Sequence, residues 1–395
     1  MSTSLLIEAP AADANLVRLY VPLELSKSKW LVGIHSPDLG GGKHSRHVVA
    51  GGDWVALAGL IEAAKQRLAG RGRQVRVVCC YEAGYEGFWL ARRLEQLGYV
   101  CLVLDAASIE VNRRRRRAKT DRLDIERLLR VLMALERGEK KACSVVRVPS
   151  VEAEDAKDHS RERQTLVNER TRHSNRIKGL LLKCGIREGE PRRKDFLARL
   201  DEMVTGDGRP LPARLKARLG REHAMLMLVI AQLAEVEAER DSALAAPAAH
   251  GSSTAKVRNL IRLRGFGPGN SVPLVDEVFY RDFSNRRQVG GYTGLTPTPF
   301  QSGTIDRDQG IDKTGNPRAR TMLIETAWLW LRHQPDSELS RWFFERTGPG
   351  RGRVRRIAIA ALARKLAVAL WRYLETGLVP RGAVFKKTAG DAHAA

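Results

Sequence analysis

VRLYVPLELSKSKWLVGIHS, residues 17–36, is the stretch on which the reading of the fold turns. VRLYVPL (17–23) alternates as a strand does, and WLVGIHS (30–36) reads as a second strand. Glu24 stands at the end of the first, in PLELSKSKW. Outward from there, HVVAG (47–51) is a third strand after a GGGK turn. Asp53 caps a helix, WVALAGLIEAAKQRLAG, which Gly70 ends. VRVVCCY (75–81) is a buried fourth strand, GFWLARRLEQLG a helix stopped by Gly98, and YVCLVLD (99–105) a fifth strand. A long helix covers about 120–136.

The order β-β-β-α-β-α-β-α predicts an α/β domain over 1–150. Three antiparallel strands followed by right-handed βαβ units match a ribonuclease-H-like sheet with the first strand central. Residues 151–250 are charged, helix-forming and poor in strand signals. Leu215, Leu219, Leu226, Val229, Leu233 and Val236 recur at three-to-four spacing, broken by Glu222 and then Arg240. This suits a coiled-coil or helical-hairpin spacer, or a plain amphipathic helix packed on its own domain. AAPAAHGSS (245–253) reads as a linker. An α-rich domain is expected over 251–380. In it LIRLRGFGPGNSVPLVDEV reads as helix, tight glycine turn, helix, and TPFQSGTIDRDQGIDKTGNPR (298–318) as a polar loop. Asn316 caps a further helix with Pro317 at its first position, and a last helix of about 354–375 stops at Gly377. Residues 381–395 read as a disordered tail.

Lys and Arg number 68 against 45 Asp and Glu, a net charge of +23 on 395 residues. Such an excess calls for a polyanionic partner, nucleic acid before an acidic membrane surface. The most apolar helix is broken by Arg364, Lys365 and Arg372, so no membrane span is expected. The first residues show no basic start followed by an apolar block, so no signal peptide is expected. Cys79, Cys80, Cys101, Cys143 and Cys184 make no C-x-x-C pair and read as reduced thiols in a cytoplasmic setting. His44 and His47 read as part of a solvated hairpin.

Four carboxylates fall where a ribonuclease-H-like fold gathers them. Glu24 ends the first strand and Glu82 the fourth, in CCYEAGYEG. Asp121 and Asp124, in KTDRLDIERLL, share one helix face. Together they offer the hard oxygen donors that Mg²⁺ takes, and paired ions stabilise attacking and leaving oxygens in phosphoryl transfer. Taken singly, each also suits an ordinary place: a strand-surface charge, a turn residue, or first-turn acids complementing a helix dipole. In NRRRRRAKTD, Arg113, Arg114, Arg115, Arg116, Arg117 and Lys119 suit a nucleic-acid backbone and carry no sequence specificity. Gly265 and Gly267, in LIRLRGFGPG, suit a helix-hairpin-helix turn whose backbone N–H groups cradle a phosphate. Arg307, Lys313, Arg318 and Arg320 are candidate backbone contacts near Ser302. Tyr292 reads as packing.

ELSKSKW, YEAGYEG and KTDRLD at one end of the chain, with LRGFGPG, FSNRRQVGGYTGLTP and QSGTIDRDQGIDKTGNPRARTML at the other, resemble the DEDD transposases of bacterial insertion sequences. This is the IS-one-ten family, which includes the bridge-RNA-guided recombinases. The middle of the chain matches only in being helical, and the first acid is Glu24 where the family shows Asp. The resemblance implies a RuvC-like metal domain holding Mg²⁺ or Mn²⁺ through Glu24, Glu82, Asp121 and Asp124. It implies that Ser302, in QSG, is a nucleophile forming a phosphoserine link to DNA. It also implies donor and target DNA ends as partners, an element-encoded noncoding guide RNA, and a homodimer or dimer of dimers in a bacterial, nucleoid-associated setting. The chemistry is consistent with this: a serine hydroxyl needs activation, no histidine lies within thirty residues of Ser302, and a metal can replace the base. The alternatives are a RuvC-like metal-dependent nuclease acting on branched DNA, and a nucleic-acid-binding protein without activity.

Overall fold

The computed structural model describes residues 15–39, 44–70, 72–109, 121–139, 142–348, 350 and 352–387. Arg113–Arg117 and Lys119 lie outside them, as does the side chain of Asp121. The chain divides into two compact units, 1–150 and 151–395.

In the first unit, β1 (Leu16–Leu25), β2 (Lys29–Ile34) and β3 (Ser45–Ala50) form an antiparallel meander. β4 (Gln74–Glu82) pairs parallel to β1, β5 (Val100–Leu104) parallel to β4, and the two-residue β6 (Val145–Val146) antiparallel to β5. The order is β3-β2-β1-β4-β5-β6. β1 is therefore interior and buried on both faces, which is why its sequence is nearly all apolar. α1 (Trp54–Ala69) and α2 (Trp89–Gln96) cover the face that carries Leu19, Leu23 and Tyr81. The Asp53 carboxylate caps α1, accepting from the Ala56 N–H at 3.0 Å. α3 (Asp121–Glu136) covers the other face, where Leu128 and Leu132 meet Tyr20 and Cys80. Gly33 allows this close approach, because a Cβ there would stand 2.8 Å from Ile125 and from Pro22.

The second unit opens with α4 (Val151–Leu182), α5 (Phe196–Glu202) and α6 (Ala213–Ala245). α4 and α6 run antiparallel, bonded between Arg163 and Glu237 and between His173 and Glu222. Ile177, Leu181, Phe196, Leu219 and Leu226 fill their core. Glu222, which interrupts the apolar spacing, accepts from Arg176 at 3.0 Å. After the linker come α7 (Ser253–Arg262) and α8 (Pro268–Leu274), which runs into a π-turn at Val275–Phe279. α9 (Arg286–Thr293), the ribbon β7 (Pro297–Ser302) and β8 (Ile305–Ile311), α10 (Pro317–His333), α11 (Glu338–Thr347) and α12 (Arg353–Thr376) complete the unit. Phe279, Leu323, Trp330, Phe343, Leu362 and Leu370 form its core. Asn316 caps α10 through the Arg318 and Ala319 N–H groups, as expected.

A mixed α/β first unit and a helical second region stand as read from the sequence. Two expectations are corrected. The polar loop is a β-ribbon from 297 to 311. The segment 381–387 is not a disordered tail: Arg264 N–H donates to the Val384 carbonyl at 3.0 Å and Lys386 N–H to Arg262 at 2.8 Å. The Val384 backbone and the Phe385 ring anchor it, the ring beside Tyr373. α9 also forms despite its two glycines, closed by Gly294 in the left-handed region at φ 62.

Candidate active site

The β1–β4 pairing ends at Leu23↔Tyr81, one residue before Glu24 and Glu82. Strand alternation places both acids on the face that α3 covers, at the carboxyl ends of β1 and β4. The first turn of α3 brings Asp124 to the same edge. Between Glu82 and Asp124 sits Arg127: its Nη2 donates to Glu82 Oε1 at 2.5 Å and stands 3.6 Å from Asp124 Oδ1. Asp124 Oδ2 and Arg127 Nε are buried and lack a hydrogen-bond partner among the described residues. Burying a carboxylate oxygen without a partner is costly. Among the described residues no three His, Cys, Asp or Glu side chains are close enough to hold a metal ion. The donor set is nonetheless all oxygen, one of its atoms is unsatisfied, and a guanidinium supplies the local positive charge. These residues fit a hard divalent cation.

Ser302 is the last residue of β7, paired with Ile305 across the two-residue turn Gly303–Thr304. Gly303 takes φ 57 there, a value that glycine adopts without strain. Nearly every residue of the ribbon is exposed, Ser302 included. Its feet are fixed. Asp312 N–H donates to Thr296 at 2.8 Å, Lys313 N–H to Gly294 at 3.2 Å and Asn316 N–H to Tyr292 at 2.7 Å. Lys313, at φ 65, is the one non-glycine residue in the left-handed region among those described. Beneath the feet Glu277, 2% exposed, receives Arg161 Nε at 2.9 Å and Asn316 Nδ2 at 3.3 Å, with Arg318 Nε at 3.5 Å. The Tyr292 hydroxyl donates to the Glu277 carbonyl at 2.7 Å. Tyr292 is thus a strut of the ribbon base.

The expected nucleic-acid residues separate. Arg307 and Lys313 line an open groove of about 1400 Å³. Arg318 is committed to Glu277, and the Arg320 guanidinium reaches back to the Thr293 carbonyl at 3.5 Å. At the glycine turn expected to cradle a phosphate, the Gly267 N–H donates to Asn270 Oδ1 at 2.7 Å. Gly265, at φ 90, is required by the close His333 ring. Sequence reading missed Arg353, Arg356 and Arg372 on α12, which line the same groove. Their placement on one helix face was the available signal.

A profile described as the transposase IS116/IS110/IS902 family matches residues 257–340, and a DEDD transposase profile of the IS110 type matches residues 55–186. A Sinorhizobium fredii protein named "Putative transposase y4rJ" is 49% identical over 387 residues, covering 96% of this chain and 98% of that one. The chain belongs to the IS110 transposase family. A second relative, the Coxiella burnetii transposase for insertion sequence element IS1111A, is 27% identical over 65% of this chain and 66% of its own. The protein is therefore a DNA transposase. The DEDD match spans Glu82, Asp121 and Asp124 and begins after Glu24; the family match spans Ser302 and the whole ribbon. Among the described residues no helix of this transposase is long and apolar enough to cross a membrane, and all five cysteines are free.

Proposed function

We propose that this transposase cuts and rejoins DNA through a covalent phosphoserine link at Ser302. The Ser302 oxygen attacks a backbone phosphorus and gives up its proton. The bond from that phosphorus to one sugar oxygen breaks, and the sugar leaves as a hydroxyl. Attack by a sugar hydroxyl of another strand reverses the step, so the phosphodiester energy is kept and strands are exchanged. Glu24, Glu82, Asp121 and Asp124 would hold a divalent ion, Mg²⁺ or Mn²⁺, which when bound supplies positive charge to the phosphate oxygens. Arg127 would compensate the acids otherwise.

The observation that carries this reading is Ser302 itself, exposed at the turn of a ribbon whose base is pinned by Glu277, Asn316 and Tyr292. The strand order and the three acids at one sheet edge support a ribonuclease-H-like, RuvC-like metal domain. The α4–α6 hairpin supports the helical spacer. A guide RNA, assembly as a homodimer or dimer of dimers, and a nucleoid-associated cytoplasmic setting belong to the same reading, supported by the resemblance and the net charge of +23.

The test is a covalent trap. The protein is co-expressed with the noncoding DNA that flanks its gene, stopped with SDS, and compared with Ser302→Ala and Asp124→Asn. A protein–DNA adduct is expected in the wild type alone, mapped to Ser302 by mass spectrometry. Cleaved DNA without an adduct, undiminished in Ser302→Ala, would instead make the protein a metal-dependent nuclease.

A further inference from the structure

Ten basic side chains line the groove beside the ribbon, against a single acid, Asp308, among the described residues. One wall is α12, with Arg353, Arg356, Arg364, Lys365 and Arg372; the ribbon and α9 contribute Arg307, Lys313, Arg286 and Arg287. None of these ten is ion-paired with a carboxylate among the described residues, while elsewhere in the unit cations are paired: Arg163 with Glu237, Arg172 with Glu169, Arg176 with Glu222. Three groove cations rest on ring faces instead, Lys365 and Arg346 on Trp342 and Arg307 on Phe300. That arrangement orients the charge and leaves its donors free. Convergent unpaired cations repel one another unless an anion lies between them.

A small anion does not satisfy this geometry. From Arg353 to Arg372 the helix rises ~28 Å, and positions four apart on one face are ~6 Å apart. The counter-charge must itself be a chain. Between the basic rims the floor is apolar and low, with Leu295, Ile311, Ala360, Ala361, Val368 and Ala369. Phosphates gain nothing from such a floor, whereas bases and sugars do. A duplex keeps its bases stacked inside and turns phosphates outward; a single strand can put phosphates on the rims and bases on the floor.

The geometry points to a bed for single-stranded nucleic acid running along α12, a binding site separate from Ser302 chemistry. This deepens the transposase reading by naming the form of nucleic acid held. It is measured by binding alone, so failure of the serine mechanism leaves it standing.

The experiment uses the full chain and labelled oligo(dT), oligo(U) and a mixed-sequence DNA duplex of equal length. Arg353, Arg356 and Arg372 are exposed, so the triple variant Arg353→Ala/Arg356→Ala/Arg372→Ala is expected to melt as the wild type does. Affinity for the single strands should fall about tenfold or more, with the salt slope reduced by ~2, since each phosphate contact on a single strand contributes ~0.7. Duplex affinity should change less than about threefold on the same scale. The homopolymer that loses more identifies the sugar. Equal loss on the duplex, or no loss on any probe, overturns the proposal. As a measurement on the wild type, ultraviolet crosslinks of the preferred homopolymer should map to peptides within 353–372; crosslinks confined to other peptides overturn it as well.

Discussion

At the scale of single residues, Asp276 and Glu277 are neighbours with opposite fates. Both are buried, but Glu277 meets Arg161 and Arg318, whereas Asp276 accepts from the Ser160 hydroxyl. Burial pushes the Asp276 carboxyl up to about 6, against the Ser160 bond and Lys157, which pull it down. The folded chain therefore holds this proton more tightly than the unfolded chain. The stabilisation is complete below the ordinary value of 3.8 and is lost as pH rises through about 6. Asp276→Asn keeps an acceptor for Ser160 and removes the penalty. Urea melts should show the variant more stable than the wild type by ~1–3 kcal/mol at pH 7.5, with the gap closing towards pH 4. A gap that does not change with pH would show that ionisation is irrelevant there. At this scale the acids of the sheet edge were legible, because their spacing is fixed by strand ends and a helix turn. Arg127 was not, since an arginine three residues after an aspartate is ordinary on a helix surface.

At the scale of elements, the ribbon depends on its base. A Cβ on Gly315 would stand 2.4 Å from the Gly294 nitrogen and the Tyr292 carbonyl. Gly315→Ala must force the two feet apart. A loss of ~1–3 kcal/mol is expected on urea melting, together with loss of the covalent adduct while oligonucleotide binding persists. Retained adduct formation would show that the aim of the ribbon does not matter. The ribbon was illegible in sequence because both its faces meet solvent, so no alternation marks it; only the glycine at the QSG turn hinted at a hairpin. α1 and the start of α10 were read to within a residue, because Asp53 and Asn316 announce them. α12 was legible as a helix from its apolar face. Its basic face was counted as charge without being placed, since only the fold sets Arg286 and Arg307 beside it.

At the scale of the molecule, chain ends and charge are both put to use. Residues 381–387 return to bracket α7 and α10: Gln334 accepts from the Val384 N–H at 2.7 Å and donates to its carbonyl at 2.8 Å. Truncation after Pro380 should expose the Leu263 edge and leave Gln334, 1% exposed, with unmet bonds. A loss of ~2–4 kcal/mol is expected in melts of this truncated chain relative to one truncated after Lys387. Equal stability of the two truncations would contradict the bracket. Composition alone hid this, because the tail is mostly small and basic and only Val384 and Phe385 betray it. The division at 150/151 was legible from the abrupt change in character, and the two-unit arrangement places the acids and Ser302 on different units.

On the proposed reading, a serine carried on an exposed ribbon is latent by construction. Among the described residues nothing bonds to the Ser302 hydroxyl, and a bare serine at neutral pH is inert. On that reading the nucleophile acts only once an activating group meets it, so the timing of cleavage follows the completion of the site.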